Sequence, residues 1–243
     1  TPEDVEGVFA GLRPLLAGED EATSKLSREH AVSTSVKGLV VIAGGKYTTY
    51  RVMAQDAIDA AVQQMESMLD RRVPRCCTDE VPLLGAEGYE ALWNQRHALA
   101  ERQGVGVGRI EHLLNRYGSL AVEVFDLMVQ RPELAEPLAG NDDYLRAEVV
   151  YGVTHEGARH LDDILARRTR LSIETFSRGT ESAVEAASLM AGPLGWSAEQ
   201  RDLEVAHYLK RVEAELESQT MVDDETADAA RMGASDVVPI LQD

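Results

Sequence analysis

The stretch AGGKYTTYR (residues 43–51) follows a short apolar run, GLVVIA (38–43), and leads into MAQDAIDAAVQQM, whose apolar residues recur at helical spacing. A strand that breaks at two glycines, followed by a lysine and two hydroxyls opening a helix, suits the reception of an anion. Gly44 and Gly45 permit positive φ and close approach of a ligand to the backbone, and the residues after them offer free N–H groups and the positive end of a helix dipole. The dipole supplies about 0.3–1 kcal/mol, whereas one unit charge at about 4 Å supplies on the order of 4 kcal/mol at a typical effective dielectric. Lysine and arginine must therefore do most of the holding. The nearby candidates are Arg13 in GLRPLL, Arg28 in LSREH, Lys46 and Arg51; Pro14 biases Arg13 toward an extended backbone. Any one of the four alone reads as a surface salt bridge. Together they leave an anion site and a set of surface ion pairs both open.

Working outward, the helix is expected to start near Thr48 or Thr49 and to place Ala54, Ala57, Ile58, Ala61, Val62 and Met65 on one packed stripe. Before it, VFAGLRPLL, LSREHAV and GLVVIAGG read as strands and glycine turns around a polar GEDEATSK loop. After it, residues 71–88 contain prolines, glycines and mixed charge, the composition of a linker. Beyond the linker the pattern is helical: 89–103, 109–117, 119–129, 142–153, 161–168, 180–191 and 197–219, the last opened by Ser197 as N-cap with Gln200 completing a capping-box pattern. The expected organisation is residues 1–70, the C-terminal portion of a larger α/β domain; 71–88, a linker; and 89–243, an all-helical domain. The fold class is mainly α.

Composition narrows the function. The chain has 243 residues, of which 44% are hydrophobic and 5% aromatic, which favours helices over a β-sandwich. With 42 acidic against 24 basic residues the net charge is −18, and general nucleic-acid binding is excluded. Cys76 and Cys77 are adjacent, which suits neither a zinc pair nor a redox CxxC, and they read as ordinary thiols of a reducing compartment. No apolar run reaches the ~20 residues of a membrane span. Opening at Thr1 without a methionine, the chain is expected to be a piece of something longer.

AGLRPLL (10–16), LSREH (26–30) and AGGKYTTYR (43–51), in that order, resemble the FAD-dependent, quinone-linked glycerol-3-phosphate dehydrogenases, most strongly the bacterial members. EGARHLDDILARRTRLSIET (156–175), SLMAGPLGWS and EVAHYLKRVEAE resemble the helical C-terminal domain of the same enzymes, so the resemblance covers nearly the whole chain. It implies that Arg13 contacts substrate, that Arg28 helps hold the substrate phosphate, and that Lys46 lies by substrate and flavin. It also implies that Gly44, Gly45, Lys46, Thr48 and Thr49 lie against FAD. The implied reaction oxidises sn-glycerol 3-phosphate to dihydroxyacetone phosphate, with electrons passed to a quinone, in the cytoplasm or on the inner face of the cell membrane.

The departures from the family are large. The strand, GxGxxG turn and helix that bind the ADP part of FAD are not found, and GVGVG (104–108) follows a helical rather than a strand pattern. The family's general-base histidine also falls outside the matching segment. No catalytic residue is therefore expected in this chain, which should need the N-terminal FAD-binding segment as a partner and be inactive alone. A homodimer is a further partner the reading allows. The competing reading is a non-catalytic helical interaction or dimerisation module.

Other residues carry plainer expectations. His155 and His160, five apart, do not form the i, i+4 pair of a helical metal site, and no metal is expected. His30 reads as structural rather than catalytic. Arg167, Arg168 and Arg170 read either as partners of Asp162, Asp163 or neighbouring carboxylates, the leading expectation, or as a contact for the FAD-binding domain or an anionic membrane surface, while Trp93 and Trp196 read as packing residues.

Overall fold

The computed structural model describes residues 4–5, 29–65, 72–235 and 238. These divide into two compact units, one containing the described residues from 29 to 84, the other those from 85 onward together with 4–5.

The first unit is a strand pair and a helix. β1 (His30–Ser33) and β2 (Val41–Gly44) are antiparallel, with His30 opposite Gly44 and Ser33 opposite Val41. α1 (Tyr50–Met65) follows, preceded by one 3-10 turn at Tyr47–Thr49. Its Gln64 pins the connection between the strands, accepting from Gly38 N–H at 2.8 Å and donating to Leu39 O at 3.4 Å. The expected packed stripe is corrected here: no residue of α1 is fully buried, and Ile58 and Met65 are 62% and 46% exposed. Two four-residue strands present too little apolar surface to cover a sixteen-residue helix. The helix also begins later than expected, because Thr48 and Thr49 form the 3-10 turn. VFAGLRPLL and the GEDEATSK loop lie outside the described residues.

The second unit is helical: α2 (Tyr89–Asn94), α3 (Arg96–Gln103), α4 (Val107–Tyr117), α5 (Ala121–Gln130), α6 (Arg146–Thr154), α7 (Leu171–Glu174), α8 (Thr180–Leu194), α9 (Ala198–Ser218) and α10 (Asp224–Arg231), with a π-helical segment at Asp163–Arg168. With α1 these make ten α-helices among the described residues, so the fold is mainly α with a short N-terminal two-stranded sheet. The expected helix over 89–103 is broken at Gln95, and the glycines of GVGVG simply turn α3 into α4: Gly104 ends the former in the left-handed region and Gly106 caps the latter.

α6 organises this unit. Ala147, Val150 and Tyr151 join one cluster with Ile110, Leu113, Leu114 and Phe125, while Val149 joins a second with Ile164, Leu165, Ala186 and Met190. Each fully buried Leu or Ile stabilises the fold by about 1.5–3 kcal/mol relative to exposure. Gly152 allows the π-helical segment to approach α6, since a Cβ there would lie 2.6 Å from Ile164 Cδ1. Trp93 packs on the first cluster and Trp196 on the second, as expected. Ser197 caps α9 by accepting from Gln200 N–H at 3.1 Å, but the Gln200 amide donates to Glu204 instead of closing the capping box. No described helix is long and apolar enough to cross a membrane.

Candidate functional site

β2 ends in the turn that the sequence singled out. Gly44 and Gly45 both adopt positive φ, 77° and 79°, where other residues are strained. Gly45 is required twice over: a Cβ there would lie 2.5 Å from Met53 Sδ and 3.2 Å from His30 Cβ. Its N–H donates to Glu29 O at 3.3 Å, closing the turn onto the start of β1.

Lys46 returns to an extended backbone and starts the 3-10 turn. The Thr49 hydroxyl donates back to Lys46 O at 3.0 Å, and Thr49 N–H uses the same carbonyl. Thr49 therefore acts as a turn-former, its hydroxyl already committed. By contrast, the N–H groups of Tyr47 and Thr48, the first two of the turn, have no hydrogen-bond partner among the described residues. Lys46, Thr48 and Thr49 are exposed, Tyr47 is 90% exposed and stacks on Tyr50, and Lys46 has no carboxylate within ion-pair reach among the described residues.

Two open N–H donors beside an unpaired ammonium form a donor set for a negatively charged group. The structure thus brings together Gly44, Gly45, Lys46, Thr48 and Thr49. Arg13 and Arg28 lie outside the described residues. Arg51 turns away from this set and donates to Val81 O at 3.4 Å.

His30 is held by Asp56, its Nε2–H donating to Oδ2 at 2.6 Å across β1 and α1. A cleft of about 450 Å3 beside this pair is lined by His30, Val32, Asp56, Asp59, Ala60 and Gln63. Its carboxylates make it a poor anion holder. His30 thus has a bonding role, and its partner, 26 residues away, carried no signal in the sequence.

In the helical unit, buried charge is paired. Glu148, 1% exposed, accepts from His112 Nε2–H at 3.0 Å, Tyr117 O–H at 3.0 Å and Leu145 N–H at 3.0 Å, with Arg116 Nε 3.7 Å away. Burial, reinforced by the Glu148 carboxylate, pushes the Tyr117 phenol far above its ordinary value, so it stays a donor. Glu204, also 1% exposed, accepts from His160 Nδ1–H and Leu161 N–H, both at 2.9 Å. The only hint of either network in the sequence is an acid inside an apolar run, RAEVV or LEVAHYL. In the basic segment Arg167 pairs with Asp162 and Arg170 with Glu174 at 3.0 Å, as expected, whereas Arg168 donates to the main-chain Glu156 O rather than to a carboxylate. No group of three or more His, Cys, Asp or Glu that could hold a metal occurs among the described residues.

With this geometry in hand, known proteins supply a context. The sequence family described as the C-terminal domain of alpha-glycerophosphate oxidase matches residues 76–201. The chain is 53% identical over 234 residues to glycerol-3-phosphate dehydrogenase 2 of Mycobacterium tuberculosis, covering 96% of this chain and 39% of that protein. It is 54% identical over the same length to the glycerol-3-phosphate dehydrogenase of Mycobacterium leprae, with the same coverage. It thus spans about two-fifths of the length of these relatives. Among solved structures, the glycerol-3-phosphate dehydrogenase from Bacillus halodurans, complexed with FAD, has a similar fold, with a TM-score of 0.60 at 23% identity over 75% of this chain and 37% of that one.

Proposed function

We propose a function on one premise: the chain belongs to the FAD-dependent glycerol-3-phosphate dehydrogenase family, as its C-terminal portion. It contributes the phosphate-holding and flavin-facing part of an active site that oxidises sn-glycerol 3-phosphate to dihydroxyacetone phosphate and passes the electrons to a quinone. The observation that carries this reading is the glycine turn with two N–H groups and Lys46, none of which has a partner among the described residues. These residues fit a site at which negative charge must be held. FAD, when bound, supplies the hydride acceptor.

This chain's residues bind and orient. Arg13, Arg28 and Lys46 neutralise the phosphate and fix the direction of the substrate's carbon chain, which sets how close C2 comes to the acceptor. Gly44 and Gly45 keep the turn free of side chains that would bar close approach, and the backbone N–H groups of Tyr47 and Thr48, at the turn Thr49 closes, offer dipoles to negative charge developing on the cofactor side. None of these groups is the general base. That base and the ADP-binding fingerprint belong to the rest of the enzyme, which leaves this chain inactive alone. Residues 1–70 are assigned to the FAD- and substrate-binding domain, 71–88 to a linker and 89–243 to the helical domain.

The test is kinetic and uses the complete enzyme. Arg13→Ala and Lys46→Ala should each raise KM for glycerol 3-phosphate and lower kcat, together reducing kcat/KM by about 10²-fold or more, because C2 loses its alignment. Unchanged constants in both variants would remove the turn from the site.

A further inference from the structure

The glycine turn is held to α1 from two sides, and one of the holds is a side-chain pair to which the proposed reaction gives no task. We infer that His30, through its bond to Asp56, is a positioning residue: it fixes the Gly44–Gly45 turn and with it the direction in which Lys46 meets the substrate. The inference rests on the function proposed above.

Two successive glycines make a loose joint. Each has access to left-handed as well as right-handed backbone, so the pair keeps one shape only where its surroundings hold it. After the turn the hold is local: Thr49, directly before α1, donates to Lys46 O from its hydroxyl and from its N–H, both at 3.0 Å. Before it, Gly45 N–H reaches Glu29 O at 3.3 Å, a long bond for its type. His30 supplies the rest of that hold. It stands opposite Gly44 in the strand pair, and its Cβ lies 3.2 Å from where a side chain on Gly45 would begin. With Met53 of α1 it forms the floor of the turn.

A floor steadies a turn only if it is itself fixed. His30 Nε2–H donates to Asp56 Oδ2 at 2.6 Å, and Asp56 lies in the second turn of α1. The bond closes a ring, from α1 through Thr49 to Lys46, through Gly45 to His30, and through Asp56 back to α1. Without Asp56 the imidazole can swing into the cleft of about 450 Å3 beside it, which leaves Lys46 tied by Thr49 alone. The Asp56 side chain is 46% exposed, and ion pairs so exposed add little to stability. The bond supplies direction instead, and a misplacement of about 1 Å at a reacting site costs up to about 10²-fold in rate.

The experiment is a double-mutant cycle in the complete enzyme, with kcat and KM for glycerol 3-phosphate measured for His30→Leu, Asp56→Ala, His30→Gln, Lys46→Ala and the combined His30→Leu/Lys46→Ala. His30→Leu and Asp56→Ala should each lower kcat/KM by about tenfold while the melting temperature moves little. His30→Gln keeps an N–H donor for Asp56 and should recover most of the loss. In the Lys46→Ala enzyme, His30→Leu should cost less than about twofold more, because the group it directs is gone. A residue serving stability alone would lower kcat/KM by the same factor in both backgrounds. Should His30→Leu fail to fold, Asp56→Ala, an exposed change to a strong helix former, takes its place in the cycle. Parental kcat/KM in Asp56→Ala beside an impaired Lys46→Ala, or the same loss from His30→Leu with and without Lys46, overturns this inference and leaves the reading of the site standing. Lys46→Ala at parental kcat and KM overturns the inference together with the role of Lys46 on which it rests.

Discussion

In the helical unit, Glu148 and Glu204 lie at 1% exposure and every buried polar side-chain atom among the described residues has a partner. In the strand–turn–helix unit, Lys46 has no carboxylate within ion-pair reach among the described residues, Tyr47 is 90% exposed, and the sixteen residues of α1 include none that is fully buried. The helical unit resembles a finished core, its charges serving as caps and ties. The strand–turn–helix unit has polar groups and apolar surface left open at once. Unpaired polar groups in a folded protein cost stability unless water or a ligand meets them. Under the proposed function, the open groups at the glycine turn are those a ligand would meet, and the helices supply structural support.

Four substitutions break or sharpen that contrast, and the largest effect is expected in the helical core. Ile110 is fully buried between helices, and Ile110→Ala should destabilise the chain by about 2–5 kcal/mol. Ile58, 62% exposed on α1, should change stability by less than about 0.5 kcal/mol when made alanine. Urea melts followed by circular dichroism measure both, and equal losses would mean that α1 is as well packed as the core.

A smaller effect is expected at the turn. Gly45→Ala forces a left-handed backbone on a residue with a Cβ, at a cost of about 1–2 kcal/mol, and must displace Met53 as well. The loss should be local, read as faster amide hydrogen exchange in the β1–β2 ladder with exchange in α4 and α8 unaltered. Slowed or unchanged exchange in the ladder would show that the turn does not depend on its glycine.

The smallest effect concerns acid. Burial pushes the Asp163 carboxyl up, but the N–H groups of Arg159 and His160 and the nearby Arg167 charge prevail and hold it below its ordinary value. A lowered folded-state pKa means that the stability this group adds is fully present above the unfolded value, about 3.9, and is lost as pH falls through the folded one. Asp163→Asn should therefore narrow the stability gap between pH 5 and pH 2 in denaturant titrations. An unaltered gap would show that the cap does not titrate with folding.

The sequence reveals the parts of this architecture that rest on local signals. Helical periodicity marks most of the second unit, and the Gly44–Gly45 pair marks the turn through its need for positive φ. α10, DETADAAR, escapes because it is polar on nearly every side and is held at its start by Asp223 accepting from Thr226 N–H. The stripe on α1 misleads because periodicity shows only which face could be buried; burial also needs a surface opposite. Glu148 and Glu204 are invisible for another reason: His112 is 36 positions from the first, and His160 is 44 from the second. Such pairings belong to tertiary structure and leave no spacing to read.

The most direct measurement is glycerol-3-phosphate-dependent reduction of a quinone-like dye, with FAD added, by this chain alone and then mixed with a separately produced folded segment carrying the remainder of the enzyme. The complete enzyme serves as the active control. The account predicts no turnover by this chain alone, turnover in the mixture, and loss of most of that turnover in Lys46→Ala. Turnover by this chain alone, or a mixture as active with Lys46→Ala as without it, would contradict it; no turnover in the mixture would favour a helical interaction module instead.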